Sequence, residues 1–308
     1  MLRISELRLP LDHPAEALPA AIVQRLGIKP ADLLDFKVFK RSYDARKNQS
    51  LSFIYIIDAD VQNEAGLLKK FAGDLHVKPS PDTEYHFVGQ APANFANRPV
   101  VIGFGPCGIF AALVLAQMGF RPIVLERGKA VRERTQDTWG LWRKNNLNPE
   151  SNVQFGEGGA GTFSDGKLYS QIKDPRHLGR KVLTEFVKAG APPEILYVAK
   201  PHIGTFRLVG MVETMRAEII ALGGEIRFQQ RVTDIVIEDG QVRGVKTASG
   251  DEILADHVVL ALGHSARDTF EMLHAKGVFM EAKPFSVGFR IEHPQSLMLI
   301  FAKYHLRP

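Results

Sequence analysis

The sequence predicts an α/β protein in which a small α+β module precedes a larger domain built on a parallel sheet. Over residues 1–90, segments with strand-like alternation and segments with helical spacing follow in the order β-α-β-β-α-β. From Pro99 onward, short apolar strands alternate with helical segments, which is typical of the strand–helix–strand units of parallel sheets. The predicted parts are the module at 1–90, a linker at 91–98, the larger domain at 99–280 and the start of a further domain at 281–308.

The first module owes its predicted elements to alternation, helical spacing and capping residues. Gly27 follows the first helical segment and is expected to end it, because glycine readily adopts the left-handed conformation of a helix C-cap. Asn63 precedes the second helical segment, where its side chain can accept a hydrogen bond from a first-turn amide. This element order predicts a ferredoxin-like module. Strands are predicted at 3–9, 36–43, 51–59 and 85–88, and helices at 15–26 and around 67–71.

The larger domain opens with an apolar strand, a glycine turn and an apolar helix. Such an opening is typical of a nucleotide-binding strand–helix–strand unit. Asp239-Gly240 separates two alternating segments and predicts a β-hairpin. A glycine-rich loop at 155–166 lies between two predicted helices. Strands are predicted at 100–102, 122–125, 232–237, 242–247 and 258–262, and helices at 106–118, 129–145, 176–189 and 206–222.

The composition is that of a soluble globular protein. Of 308 residues, 45% are hydrophobic and 24% are charged, which excludes a disordered tail, a collagen-like fibre and a disulfide scaffold. The sequence has one cysteine, Cys107, and no apolar run of the ~18 residues that a membrane helix needs. The amino-terminal end lacks a basic and then apolar signal peptide. We therefore expect a cytoplasmic protein that has no membrane partner.

A glycine motif at the start of the larger domain predicts dinucleotide binding. Gly103-Phe-Gly105-Pro-Cys-Gly108 matches G-x-G-x-x-G, follows an apolar strand and opens an apolar helix. The first glycine permits the tight turn, the second lets the backbone approach a pyrophosphate, and the third lets the helix pack closely. The amides and dipole of the helix N-terminus attract phosphate. Glu126, at the end of the next strand, can accept hydrogen bonds from ribose hydroxyls and would repel a 2′-phosphate, so FAD or NAD fits better than NADP.

Several segments resemble flavoproteins of the glutathione-reductase-like FAD superfamily, and within it a bacterial family of predicted FAD-dependent dehydrogenases. The first are 102–112 (IGFGPCGIFAA), 124–128 (VLERG) and 258–263 (VVLALG), the last similar to an A-T-G-like turn with leucine in place of threonine. More particular to the bacterial family are 155–168 (FGEGGAGTFSDGKL), 263–268 (GHSARD), 283–293 (KPFSVGFRIEH) and 41–46 (RSYDAR). The resemblance implies a Rossmann-like FAD domain and flavin-dependent oxidoreductase activity, with hydride transfer through flavin N5.

The resemblance also implies roles for particular residues. The pyrophosphate would be met by Gly103, Gly105, Pro106, Cys107 and Gly108, the adenosine ribose by Glu126, and the adenine by Arg127 and the backbone of Val232. The ribityl chain and flavin ring would pass the glycine-rich loop at Gly158, Gly159, Gly161, Ser164, Asp165 and Lys167, and the dinucleotide would also pass Ala261 and Gly263. A lysine near the flavin would stabilise the reduced anionic ring, whereas a solvated turn lysine is the competing interpretation of Lys167.

Substrate-facing and catalytic residues are less well defined by the sequence. Lys200, His202 and His264 are candidates to face the substrate, although a lone histidine is more often structural. The segment at 281–308 would be the truncated start of a substrate domain, in which Arg290 and His293 are candidates for a substrate-facing sheet. A reactive thiol at Cys107 is disfavoured because no second cysteine is present for a disulfide relay. The substrate is expected to be a small molecule, and NAD(P)H is a candidate electron donor, although no second complete dinucleotide motif is present.

Two further readings remain open. The basic stretch of Lys37, Lys40, Arg41, Arg46 and Lys47, with interleaved Phe36, Phe39 and Tyr43, would suit an RNA-linked flavoprotein. We favour a solvated strand pair, because the first 95 residues carry equal numbers of basic and acidic side chains.

The family pattern continues beyond the sequence and closes the FAD site with a Gly-Asp turn, which neither Gly73-Asp74 nor Gly250-Asp251 fits. The sequence thus predicts a truncated chain, with a non-catalytic nucleotide-binding protein as the alternative. No metal-ligand spacing is visible.

Overall fold

The computed structural model describes residues 1–46, 51–169, 172–284, 288 and 291–299. The chain forms two compact units, Met1–Met272 and Leu273–Pro308. The first unit holds both the predicted module and the parallel sheet of the larger domain.

The amino-terminal module is a four-stranded antiparallel sheet with two helices. Its strands follow the order β2-β3-β1-β4, and each neighbouring pair is antiparallel. Gly27 ends the first helix in the left-handed conformation, and Asn63 Oδ1 accepts a hydrogen bond from the Gly66 amide at 3.1 Å. The elements are β1 (Leu2–Pro10), α1 (Ala17–Leu26), β2 (Leu33–Asp44), β3 (Ser52–Val61), α2 (Glu64–Lys70) and β4 (Val77–Pro79).

The prediction of a strand at 85–88 is wrong, because the fourth strand of the sheet is β4, at Val77–Pro79. Val77 is buried and pairs with Ile4 of β1, whereas Val88 is 92% exposed. Tyr85 and Phe87 instead stack edge to face with ring centroids 5.0 Å apart. Burial against β1 therefore outweighs the alternation of aromatic residues farther along the chain.

The larger domain contains a parallel sheet in the order β11-β5-β6-β7 and an antiparallel sheet in the order β10-β9-β8. The parallel strands are β5 (Val100–Ile102), β6 (Ile123–Leu125), β7 (Glu225–Arg227) and β11 (Val258–Leu260). The antiparallel strands are β8 (Val232–Glu238), β9 (Gln241–Thr247) and β10 (Glu252–Leu254). The helices are α3 (Pro106–Gln117), α4 (Val131–Lys144), α5 (Leu178–Lys188), α6 (Thr205–Ala221) and α7 (Arg267–Ala275).

Helices α3 and α6 hold the core of the larger domain together with the parallel sheet. Ile109 and Leu113 of α3 and Met215 and Ile219 of α6 belong to one buried apolar cluster that also includes Val124 of β6. Burial of this kind contributes about 25 cal/mol per Å² of apolar surface removed from water. The cluster therefore fixes where α3 begins relative to the strands. Among the residues that the structure describes, no helix is both long and apolar enough to cross a bilayer.

Strand β2 of the module makes direct contacts with the larger domain. The Arg41 amide donates to the Tyr197 carbonyl at 2.7 Å, and the Ala199 amide donates to the Arg41 carbonyl at 2.9 Å. The Arg180 guanidinium lies over the Phe39 ring, 4.5 Å from its centroid. Two residues of the basic stretch therefore pack against the protein itself. Lys47 of that stretch lies outside the described residues.

The stability of the fold is expected to depend on the ionisation of Asp44, the last residue of β2. Arg46 and Arg8 donate hydrogen bonds to the buried Asp44 carboxylate, and they lower its pKa to about 2, with the side-chain bond from Arg46 as the largest cause. A carboxyl whose pKa is depressed by folding stabilises the fold above its ordinary pKa of about 4, and the contribution is lost as the pH falls from there to about 2. We expect the melting temperature of Asp44→Asn to fall less between pH 5 and pH 2.5 than that of the wild type. Asp12→Asn, at an exposed carboxylate, is the control. Equal acid losses in all three proteins would contradict the expectation.

Candidate functional site

A cleft with a volume of about 180 Å³ opens at the carboxyl ends of β5, β6 and β11. In parallel sheets of this type, ligands bind at this end of the strands. Further lining residues that the sequence did not single out include Gln154, Arg231 and Thr269, and the lining also includes Phe155 and Leu262 from the segments that carry the family resemblance. Among the sequence-predicted site residues, Gly103, Gly105, Pro106, Cys107, Glu126, Arg127, Gly159, Val232, Ala261 and Gly263 line the cleft, together with the substrate candidate His264.

Two glycines of the motif are required by the packing of the protein itself. Gly103 has φ +99°, and a Cβ there would overlap the carbonyl oxygen of Ala261. At Gly108, a Cβ would overlap the carbonyl oxygen of Gly103. The glycine at 103 thus permits the turn beside β11, and the glycine at 108 lets α3 approach β5. Gly108 lies buried behind the cleft and does not line it.

Gly105 has a different environment. Its φ is −77°, which any residue can adopt, and the atom nearest to an added Cβ is the Cα of Gly159, at 3.6 Å. That distance is an ordinary van der Waals contact. The folded protein therefore accommodates a side chain at this position, and a Cβ would take space only from the cleft that Gly105 lines. This is what a closely approaching ligand would require.

The N-terminus of α3 supplies donors beside Gly105. Gly105 is the N-cap and Pro106 occupies the first helical position, where its missing N–H costs nothing. The following amides, of Cys107 and Gly108, belong to the first turn, whose N–H groups have no acceptor within the helix. The helix has 12 residues, so the partial positive charge at this end is well developed. The arrangement suits a phosphate or pyrophosphate.

The Glu126 carboxylate is buried at the end of β6 and fixed by two backbone amides. Phe104 N donates to Oε2 at 2.7 Å, and Gly128 N donates to Oε1 at 2.8 Å. Each carboxylate oxygen has a second lone pair, so both can accept a further hydrogen bond from a ligand hydroxyl. The carboxylate therefore joins the turn after β5 to the turn after β6 and lines the cleft between them.

The glycine-rich loop forms one wall of the cleft where it begins. Gly156 and Gly159 line the cleft, and the Gly158 amide donates to the Phe104 carbonyl at 2.8 Å. Gly158 itself is buried, and a Cβ there would overlap Oγ1 of Thr162. From Gly161 onward the loop no longer lines the cleft.

The end of the glycine-rich loop pairs with a segment near α6. Lys167 and His202 form an isolated bridge, and the Gly204 amide donates to the Asp165 carbonyl at 2.9 Å. Lys167 Nζ lies 3.4 Å from the Asp165 carboxylate, and both side chains are exposed. The Ser164 hydroxyl donates to the Gly161 carbonyl at 2.7 Å. Gly161, Ser164, Asp165 and Lys167, which the sequence placed beside the flavin, therefore do not line this cleft.

Two arginines at the cleft are neutralised by two carboxylates. Arg127 donates to Glu150 at 2.8 Å and to Asp268 at 3.0 Å, and Arg231 lies 3.4 Å from Asp268. The Arg127 guanidinium also lies over the Phe155 ring, 4.2 Å from its centroid. Burial lowers the pKa of Arg127 less than Glu150 and Asp268 raise it, so the guanidinium stays charged. Arg127 is therefore held in one orientation at the edge of the cleft.

The buried arginine beneath the loop had no signal in the sequence. Arg134 lies on α4, within a segment whose other charged side chains predict a solvated helix face, and it is fully buried. Next to it, Glu157 Oε2 accepts hydrogen bonds from Val131 N at 2.7 Å and Arg216 Nη1 at 2.8 Å. Burial raises the pKa of Glu157, against the opposing effects of the Val131 amide and Arg216.

Of the remaining candidates, Lys200 places its ammonium 5.3 Å from the centre of the Tyr169 ring. His293 is exposed, and Arg290 lies outside the described residues. Within the described ranges, no three histidine, cysteine, aspartate or glutamate side chains converge as metal ligands.

Two family models match parts of the chain. Residues 196–296 match the family model described as FAD dependent oxidoreductase, and residues 1–62 match one described as Domain of unknown function (DUF8436). The similarity to an FAD dependent oxidoreductase thus covers the second half of the larger domain and the residues that follow it.

One curated relative matches most of the chain. It is a Clostridium beijerinckii protein named "Uncharacterized protein", 43% identical over 297 residues, which cover 96% of this chain and 55% of that protein. The chain thus spans about half the length of the relative that it matches.

Two solved structures are similar to parts of the chain. Thermovibrio ammonificans THI4 is 19% identical with a TM-score of 0.39, covering 60% of this chain and 64% of that one. The 3-ketosteroid-delta4-(5alpha)-dehydrogenase of Rhodococcus jostii RHA1 is 17% identical with a TM-score of 0.36, covering 59% of this chain and 49% of that one.

Proposed function

We propose that the cleft binds FAD and that the protein acts as a flavin-dependent oxidoreductase on a small-molecule substrate. The observation that carries the proposal is Gly105, where the folded protein has room for a Cβ and that Cβ would take space only from the cleft. The matched FAD dependent oxidoreductase model supports FAD as the dinucleotide. When bound, FAD supplies hydride transfer through N5 of the flavin, and the protein supplies position and electrostatics.

The residues at the cleft fit the adenosine diphosphate half of FAD. In this proposal the amide of Cys107, which lines the cleft, donates to the pyrophosphate, and Glu126 accepts from the ribose hydroxyls. A carboxylate with both oxygens already fixed would repel a 2′-phosphate, so a phosphorylated ribose is disfavoured at this position. Arg127 and Val232 would adjoin the adenine.

The electron donor and two alternative functions remain to be considered beside this proposal. NAD(P)H is proposed as a donor that meets the flavin from outside this cleft. The RNA-linked alternative receives less support, because Arg41 and Phe39 contact the larger domain. A non-catalytic nucleotide-binding protein would share the adenosine half of the site, and only turnover separates it from an oxidoreductase.

Cys107 offers a direct test of binding. It is the one cysteine of the chain, is exposed and lines the cleft. We expect saturating FAD or ADP to slow its reaction with dithionitrobenzoate by about tenfold or more, because the ligand covers the thiol when nearly all the protein is bound. Visible absorption by the purified protein, and FAD released from it by heat, would give independent support.

The control is the variant Cys107→Ala, Glu238→Cys, which carries the only thiol on the exposed end of β8, away from the cleft residues. Its reaction rate should not change with FAD. Equal rates for Cys107 with and without FAD or ADP, in a protein that is colourless as purified, would contradict the proposed function.

A further inference from the structure

The guanidinium of Arg134 donates hydrogen bonds to the start of the glycine-rich loop and to the two residues at 152–153 that precede it. Its Nε donates to the Asn152 carbonyl at 2.8 Å, and Nη2 donates to the Val153 carbonyl at 2.7 Å. Its Nη1 donates to the carbonyls of Glu157 at 2.6 Å and Gly159 at 2.9 Å. One planar group thus joins four carbonyls, two from the stretch 152–153 before the loop and two from the stretch 157–159 within it.

The stretch between those carbonyls is the wall of the cleft. Gln154, Phe155 and Gly156 line the cleft, and so does Gly159. Gly156 packs so closely on the side chain of Arg134 that an added Cβ would overlap its Cδ. Gly159 in turn lies against Gly105, where the pyrophosphate is proposed to bind. The position of the wall beside Gly105 therefore depends on the guanidinium behind it.

A purely structural role explains this arrangement less well. Burying a charged group costs free energy, and apolar packing of similar volume is often at least as stabilising. The hydrogen-bond partners of Arg134 are neutral carbonyls, while Glu126 and Glu157 act on it only through their charge. What the guanidinium adds over an apolar side chain is a fixed, planar set of donors.

We propose that Arg134 is a positioning residue for the dinucleotide cleft, which holds the wall at 154–159 in the shape that accepts the pyrophosphate of FAD. The proposal rests on the proposed function for its ligand, but the shape of the wall can be measured without one. Burial lowers the pKa of Arg134 to about 10, so the side chain stays protonated at neutral pH and all its donors are retained.

The experiment compares the wild type with Arg134→Ala, Arg134→Lys and Arg132→Ala. Arg132 lies on the same helix and its exposed side chain pairs with Glu213, so its replacement is a matched control. Two readouts are taken under conditions where circular dichroism shows each variant folded. They are the rate of Cys107 with dithionitrobenzoate in the absence of ligand, and the dissociation constants for FAD and ADP.

For Arg134→Ala we expect Cys107 to react several-fold faster and FAD to bind at least about tenfold more weakly, the equivalent of losing one net charged hydrogen bond. Millimolar guanidinium chloride should return both values toward the wild type, whereas equal sodium chloride should not, since only guanidinium can refill the vacated donor site. Arg134→Lys should be intermediate, because an ammonium cannot reach four carbonyls from one plane. Arg132→Ala should match the wild type.

The outcomes separate the two proposals. A wild type that binds neither FAD nor ADP overturns the proposed function, while the ligand-free Cys107 rates still decide the role of Arg134. If Arg134→Ala is folded and keeps wild-type rates and affinities, with only its melting temperature lowered, the positioning role is wrong. If Arg134→Ala does not fold, Arg134→Lys decides in the same way, and wild-type values for it overturn the inference.

Discussion

Replacing Glu126 by alanine is expected to weaken FAD binding by about 100-fold or more and to destabilise the larger domain. The carboxylate accepts the amides of Phe104 and Gly128 while buried, and hydrogen bonds to a charged group are each worth about 1.5–3 kcal/mol. Alanine leaves both amides without an acceptor, so we expect the free energy of unfolding to fall by about 3 kcal/mol. The loss of affinity follows because the same change removes the acceptor of the ribose hydroxyls and loosens the two turns that flank the cleft. Urea unfolding and titration with FAD and ADP measure the two effects.

Glu126→Gln separates the charge from the shape. Glutamine keeps the volume and one acceptor oxygen, but its amide group would face one of the two backbone N–H groups as a donor. We expect it to lie between the wild type and alanine in stability and to bind FAD nearly as weakly as alanine. Glu133→Gln, at an exposed position of α4, should behave as the wild type. If Glu126→Ala binds FAD as tightly as the wild type, the assignment of the ribose to this carboxylate is wrong.

The parts of the fold that the sequence predicted well are those with strong local signals. Gly27 ends α1 and Asn63 caps α2 as expected, because each cap depends on neighbouring residues alone. The strand–turn–helix unit at β5 and α3 could be predicted equally well, since an apolar run, three glycines and a second apolar run follow one another. The strand pairing that makes β4 out of Val77–Pro79 depends on a partner that is distant in sequence, and alternation at 85–88 therefore misled the prediction.

In the cleft, too, the residues with strong local signals were predictable and those that depend on distant contacts were not. Motif residues such as Gly103 and Glu126 lie where the turn geometry puts them. Arg134 could not be found, because in sequence it is one charged residue among several on α4, and only the return of the loop over it makes it buried. The prediction for Ser164 to Lys167 rested on resemblance alone, and the pairing of this stretch with the segment at 201–204 directs it away from the cleft described here.

The glycines of the dinucleotide motif should separate stability from binding more clearly than any other pair of positions. Gly108→Ala places a Cβ onto the carbonyl oxygen of Gly103, and backbone on both sides leaves little room to relax. We expect a loss of about 3 kcal/mol or more in the free energy of unfolding of the larger domain. Gly105→Ala meets only an ordinary contact with Gly159 and a permitted φ, so its stability should stay within about 0.5 kcal/mol of the wild type.

For the affinity for FAD we expect the opposite order, with the larger loss in Gly105→Ala. The Cβ of Gly105→Ala would occupy the space through which the pyrophosphate reaches the first amides of α3, and losing even two charged hydrogen bonds corresponds to about 100-fold or more in affinity. Thermal or urea unfolding, the Cys107 rate and FAD titration on the same preparations measure both effects. Gly89→Ala, at an exposed glycine with open space around it and no place in the cleft lining, is the control and should change neither quantity. A stable Gly105→Ala that still binds FAD like the wild type would mean that the pyrophosphate does not pass Gly105, because the folded chain itself gives no other reason for a glycine there.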